Sequence, residues 1–205
     1  MSTKALIKEP FNLIVAGVGG QGNVLMSLLI GRALVREGYF VGVGDTYGAS
    51  QRGGSVASHI RISKKTQYSS LIPMGHADFI LGMEPVETLR MLGQFGNPNV
   101  ITITNPRPVY PAAVTSGDAE YPDLDKLIET IKKFSARLWI VNATDEAIKM
   151  GSPIFANMIL VGALIGTGVL PLDRKSVEPV LRERFTGERF DTNMMAFDKG
   201  IELVG

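Results

Sequence analysis

Gly17, Gly19 and Gly22 fall in the spacing G-x-G-x-x-G within the segment Gly17-Val18-Gly19-Gly20-Gln21-Gly22. An apolar run, Phe11 to Ala16, precedes them, and a helix-forming segment follows from Asn23. Glycines at such a junction let the chain turn sharply from strand to helix, so that the first free N–H groups of the helix point at whatever sits above. Together with Gly20 and Gln21, the loop is a candidate cradle for a phosphate or another anion. The plainer alternative is a tight turn used for close helix–sheet packing. A helix terminus stabilises an anion by about 0.3–2 kcal/mol, so phosphate binding there calls for a cation as well. Arg52 is the candidate, within a second glycine-rich loop, Tyr47-Gly48-Ala49-Ser50-Gln51-Arg52-Gly53-Gly54. Its guanidinium can grip phosphate or carboxylate with two N–H groups, and can equally form a salt bridge to another subunit. Gly53 and Gly54 give that loop freedom, and Gln51 offers a side-chain amide at the same edge.

Composition narrows the remaining chemistry. The 205 residues contain no cysteine and only two histidines, His59 and His76. Structural disulfides, cysteine-ligated zinc and cysteine-ligated iron–sulfur clusters are therefore excluded on this chain. A formal net charge of +1 without a basic stripe argues against nucleic acid, and Lys64-Lys65 and Lys132-Lys133 read as solvated surface. Ser50 and Ser55 have no histidine–acid arrangement near them in sequence, so neither reads as a nucleophile. Both histidines read as structural, with His59 sharing a strand face with Arg61 and partly exposed. Asp45 lies about 20 residues beyond the first loop, near where an acid binds the adenosine ribose of NAD. That keeps open a rival reading, a free-standing NAD-dependent oxidoreductase.

The pattern along the chain is that of one α/β domain, Rossmann-like, with a mostly parallel sheet flanked by helices. Strands are expected at 12–18, 39–44, 55–63, 78–83, 100–104 and 138–141, with a short strand near 67–72 pairing with 55–63. The first two strands, joined by a helix over 21–37, form a β-α-β unit, so they should be parallel. Val24, Leu25, Leu28, Leu29, Ala33 and Leu34 make the apolar face of that helix, and Gly38 is its stop. Further helices are expected from Pro85, over 124–134, 144–150, 153–166, 173–184 and 193–203. Pro106, Pro108 and Pro111 forbid regular structure, so 105–111 is an extended arm that could drape over a partner. The stretch 151–172 carries no charge, but its uninterrupted helix is too short for the ~20 apolar residues of a membrane span; it reads as buried. The start lacks a secretory signal, which points to the cytoplasm.

These elements together resemble the gamma-type small subunits of the 2-oxoacid:ferredoxin oxidoreductases. The resemblance rests on Gly-Val-Gly-Gly-Gln-Gly at 17–22, on Gln51-Arg52-Gly53-Gly54-Ser55-Val56 leading into Ser58-His59-Ile60-Arg61-Ile62-Ser63, and on Ala77-Asp78 before a strand ending in Glu84-Pro85. Asn157 in the apolar helix, and Asn193, Ala196, Phe197 and Gly200 near the end, extend it from about Phe11 to Gly200. It implies a short tail over 1–10 and a pyruvate/ketoacid ferredoxin oxidoreductase gamma-type domain over 11–205. Gln51 before Arg52, where several pyruvate-type relatives carry Pro and Glu in the loop, looks more like the indolepyruvate or aryl-oxoacid branch. The implied activity is oxidative decarboxylation of a 2-oxoacid to an acyl-CoA with reduction of ferredoxin. Thiamine diphosphate, Mg and iron–sulfur clusters are then expected on a catalytic alpha-type partner, leaving this chain without catalytic residues, metal ligands or a cofactor of its own, and inactive alone. Phosphates of coenzyme A, or of thiamine diphosphate presented by the partner, are the implied occupants of the glycine loops. A purely structural subunit that clamps the partner is the remaining alternative.

Overall fold

Phe11–Val18 is apolar on both sides because both sides are covered. This strand, β1, alternates Leu13 and Val15 into one core and Ile14 and Ala16 into a second. The computed structural model describes residues 5–48 and 54–205; Gln51, Arg52 and Gly53 lie outside the described residues. After β1 come α1 (Asn23–Arg36), β2 (Phe40–Tyr47), β3 (Ser55–Ser63), β4 (Phe79–Gly82), α2 (Pro85–Phe95) and β5 (Ile101–Thr104). The chain continues through α3 (Ala112–Thr115), α4 (Leu124–Lys133), β6 (Arg137–Ile140), α5 (Ala143–Lys149), α6 (Ala156–Gly166), α7 (Arg174–Arg184) and α8 (Glu188–Glu202). The core shared by β1, α1, α6, α7 and α8 lies on one face of the sheet, and the core with α2 and α4 lies on the other. The Rossmann-like, single-domain α/β expectation therefore holds. Among the described residues no helix is long and apolar enough to cross a membrane.

The sheet order is β2-β3-β1-β4-β5-β6. β1, β4, β5 and β6 pair in parallel, whereas β3 is antiparallel to both of its neighbours. β1 and β2 thus run in the same direction, as the β-α-β reading requires, but β3 lies between them. This placement also corrects the expected strand near 67–72. Both edges of β3 are taken, so that segment has no ladder to join; it crosses the sheet face instead, close enough to β2 that a Cβ on Gly42 would stand 3.0 Å from Tyr68 O. Ser69 O and Leu71 O accept from the Arg61 guanidinium, which anchors the crossing.

The inward face of α1 keeps Leu29, Ala33 and Leu34 of the expected set and adds Met26 and Ile30, while Leu28 turns out to be 46% exposed. The stop at Gly38 is as expected: φ is +79°, with Gly38 N–H on Val35 O and Tyr39 N–H on Leu34 O closing the helix end. The uncharged segment begins with one 3₁₀ turn, Pro153–Phe155, and continues as α6, buried from Ala156 to Ile165. Its Gly162 and Gly166 spacing carries no weight as a sequence motif, yet it has a packing role. α8 crosses α6 so closely that a Cβ on Gly162 would lie 1.9 Å from Phe197 O, and one on Gly200 would lie 1.9 Å from Ile159 O.

His59 is buried, contrary to the partial exposure expected of it. Its Nδ1 accepts from Ile72 N–H, and Phe95 stands edge-on to the ring at 5.1 Å. Burial holds its pKa below the ordinary 6.5, with Asp45 opposing the shift. The unfolded chain therefore takes up the proton first: the stability carried by the neutral ring is complete above 6.5 and is lost as pH falls toward the folded pKa. Urea unfolding between pH 7 and 5 should show this decline in the native protein and a flatter profile in His59→Gln. A second expectation concerns α6. Gly162→Ala should lower stability by about 1–3 kcal/mol in the same assay through overpacking against α8, despite the gain in helix propensity.

Candidate functional site

The first glycine loop leaves β1 at Val18 and enters α1 at Asn23. Gly20 and Gly22 adopt φ of +100° and +92°, in the region that favours glycine. No side chain caps α1, and no acidic residue occupies its first turn. The first bond inside the helix runs from Met26 N–H to Gly22 O, which leaves the N–H groups of Asn23, Val24 and Leu25 without partners among the described residues. A Cβ on Gly20 would meet nothing within 4 Å, so its glycine serves the backbone conformation alone.

Gln21 faces inward. Its Oε1 accepts from Val18 N–H at 2.7 Å and its Nε2 reaches Met83 O at 3.4 Å, tying the end of β1 to that of β4. A Cβ on Gly17 would fall 2.6 Å from that Oε1, so Gly17 makes room for the Gln21 strut. Gly17 and Gln21 therefore build the loop, while Gly19, Gly20 and Gly22 line the cleft above it with Asn23, Val24 and Tyr47. The second loop closes on the same place. Gly48 N–H donates to Ser55 O, and Gly19 N–H donates to Gly54 O at 2.9 Å. The two loops thus share the carboxyl edge of the sheet.

Asp45 does not fit an NAD ribose site. The Ser58 hydroxyl donates to its Oδ1, and the intervening β3 moves the end of β2 one strand spacing, about 4.8 Å, further from the first loop than in the classical arrangement.

The same edge carries a buried carboxylate, Glu84, which the sequence offers only within the Glu84-Pro85 pair between a strand and a helix. Glu84 is 1% exposed and caps α2, its Oε2 accepting from Glu87 N–H at 2.9 Å, with Pro85 well placed in the first turn. The Tyr121 hydroxyl donates to Glu84 Oε1. Burial pushes the Glu84 carboxyl above its ordinary range, against donation from Tyr121 and from the backbone of Glu87 and Val109. Burial, then Glu84, drives the Tyr121 phenol upward too. Tyr110 packs edge-on to Tyr121 at 5.2 Å, Val109 N–H donates to Glu84, and Arg107 stands 3.9 Å from Asp145, so the proline arm is held over a hollow of about 220 Å³ by several contacts, of which the Tyr121–Glu84 pair is one. No local signal could reveal that pair, since 37 residues separate them. Asn105 is fully used: its amide donates to Met83 O and the Thr144 hydroxyl, bracing the ends of β4 and β5 against α5.

The sequence pattern of the pyruvate ferredoxin/flavodoxin oxidoreductases matches residues 12–203. Indolepyruvate oxidoreductase subunit IorB of Archaeoglobus fulgidus is 40% identical over 189 residues, covering 92% of each chain. Two solved structures share the fold. The gamma subunit of a keto/oxoacid ferredoxin oxidoreductase from Geobacter sulfurreducens superposes with a TM-score of 0.67 at 19% identity, over 95% of this chain and 98% of that one. A 2-oxoglutarate:ferredoxin oxidoreductase from Magnetococcus marinus, with 2-oxoglutarate, coenzyme A and succinyl-CoA bound, gives a TM-score of 0.72 at 23% identity. It matches 96% of this chain and 31% of that much longer one.

The fastening of the arm is open to test. Tyr121→Phe should cost about 1–3 kcal/mol, the range for leaving a buried acceptor without its donor. In limited proteolysis, cleavage should appear between 106 and 120 while the sheet stays protected; an unchanged digestion pattern would place the hold on the arm elsewhere.

Proposed function

The chain belongs to the pyruvate ferredoxin/flavodoxin oxidoreductase family, and we propose that it is the small subunit of an indolepyruvate-type ferredoxin oxidoreductase. Full-length similarity to subunits named for indolepyruvate carries this reading. In it, a larger catalytic subunit holds thiamine diphosphate, Mg and the iron–sulfur clusters, for which this cysteine-free chain has no thiolate ligands. The assembled enzyme decarboxylates an aryl-pyruvate oxidatively, passes the electrons to ferredoxin and forms an acyl-CoA, in the cytoplasm.

This chain contributes a rigid edge rather than a reacting group. An uncapped helix terminus at Asn23, with glycine on its approach, suits the phosphates of coenzyme A or of a partner-held thiamine diphosphate. Gln51, Arg52, Gly53 and Gly54 complete the proposed binding set, with the Arg52 guanidinium as the countercharge. Gly17, Gly19, Gly20, Gln21 and Gly22 shape the other wall. The stand-alone NAD reading is the weaker one, because Asp45 is engaged by Ser58 and set apart by β3.

The test is affinity capture of the chain from native extract, followed by an absorption spectrum and an assay with indolepyruvate, coenzyme A and ferredoxin. A brown partner containing thiamine diphosphate, with activity that requires coenzyme A, is the expected result. A colourless, unpartnered protein that binds NADH at one site would overturn it. Within the complex, Arg52→Ala is expected to raise the apparent KM for coenzyme A while assembly is retained; unchanged kinetics with weakened assembly would assign Arg52 to the subunit interface.

A further inference from the structure

Between Asn105 and Leu127, both buried, the chain runs over the surface, and no residue from 106 to 126 is buried. Within this run, the stretch 111–119 is self-contained. Val114 N–H and Thr115 N–H donate to Pro111 O, Ser116 N–H to Ala112 O, and Asp118 N–H and Ala119 N–H to Ala113 O. The hydroxyls of Thr115 and Ser116 also bond inside the stretch. Among the described residues, none of its hydrogen bonds leaves it. It covers the hollow of about 220 Å³, which is lined by Pro111, Val114 and Ala119 from the stretch and by Val18 and Val86 from the body of the domain.

Both ends of the stretch return to one buried group. Val109 N–H donates to Glu84 on the way out, and the Tyr121 hydroxyl donates to Glu84 Oε1 on the way back, while Val86 N–H donates to the Tyr121 oxygen. Arg107, 3.9 Å from Asp145, lies before the first of these points and stays with the body. A compact piece without buried residues, fixed at two points over a hollow, can move as a unit. We propose that residues 110–120 are a lid, hinged at Val109 and Tyr121, that opens over the hollow as one body, with the Glu84 carboxyl as the latch for both hinges. Opening brings water to Glu84. Facing it are Glu87 and Arg90 of α2, paired with each other at 3.3 Å, and Tyr110, Glu120 and Tyr121 of the lid and its hinge; β1 adds only Val18. With the lid closed, burial first and Glu87 last raise the carboxyl pKa above the ordinary 4.5, against its hydrogen bonds. The closed form therefore holds the proton more tightly than the open one. Closure is strongest below 4.5, weakens as pH rises toward the closed-form pKa, and is least secure at neutral pH. The inference concerns this chain alone and stands apart from the subunit reading.

The test exploits the absence of cysteine from the full-length chain. Val114→Cys places a thiol in the lining of the hollow, and Ser116→Cys an exposed one on the same lid. Their rates of reaction with 4,4′-dithiodipyridine, taken as the ratio of 114 to 116, read the open fraction free of the thiol's own titration. The ratio should be well below one and should fall several-fold from pH 7 to pH 5, by up to about tenfold for each unit by which closure raises the pKa. Glu84→Gln, which cannot ionise, should hold the ratio constant between the two, although His59 titrates in that variant as before. Tyr121→Phe releases one hinge and should raise the ratio at both. By amide exchange, 111–119 should keep its protection at pH 7 while Val86 and Val109 exchange freely. A ratio indifferent to pH in the otherwise native chain, or a pH dependence that survives Glu84→Gln, would overturn the latch. A ratio near one at both pH values, or exchange spread through 111–119, would overturn the lid.

Discussion

The antiparallel return of β3 between β1 and β2 decides where the functional groups of this molecule stand. A β2–β3 hairpin places its connecting loop at the carboxyl end of β2, and β3 then descends directly beside β1. The start of β3 therefore lies next to the end of β1, and the Gly19 N–H to Gly54 O bond joins the two glycine-rich loops. Had β2 paired with β1 in the ordinary doubly wound order, Asp45 would have stood beside the first loop as a ribose acid. With β3 inserted, Asp45 instead serves Ser58 and stands one strand further from the first loop.

The remaining architecture fixes that edge. Gln21 and Asn105 both reach Met83 O, so the ends of β1, β4 and β5 and the start of α5 are tied through a single carbonyl. In the core that α5 shares with α6 and α8, close approach of α6 to α8 requires glycine at 162 and 200. An edge so braced loses little conformational freedom on meeting a partner or a phosphate, which favours binding by pre-organisation. Glu84 and Tyr121 add a different element. A buried carboxyl that caps α2 and also accepts from Val109 of the arm and from the Tyr121 hydroxyl couples the arm's position to the same edge.

Much of this was legible in the sequence. Element positions followed from local signals: the apolar run of β1, Gly38 ending α1, Pro85 in the first turn of α2, the three prolines of the arm, and the uncharged stretch that became α6. The shared edge of the two loops was legible because each loop follows a strand. Strand order was not, since neighbours depend on which edges are free, and the same blindness produced the false strand at 67–72. The face of α1 was read correctly at Leu29, Ala33 and Leu34 and misread at its start, because Leu28 and Val24 fit the helical period as well as Met26 and Ile30 do; tertiary contact chose between them. His59 looked half-exposed from strand alternation alone, yet segment 67–72 and Phe95 cover that face. Glu84 and Tyr121 meet only through the fold. Asn157 was noticed as a polar residue in an apolar helix, but its neighbour Gly22 could not be known.

A structure of the assembled complex, determined by electron cryomicroscopy with coenzyme A and thiamine diphosphate present, would decide whether the carboxyl edge is the working surface. The expected result has Gly19–Gly22, Gly54 and the proline arm buried against the catalytic subunit, with a phosphate of one of the two cofactors at the N-terminus of α1. A complex in which this edge faces solvent, and the chain grips its partner through the opposite end of the sheet near Pro98 and Phe134, would contradict the account.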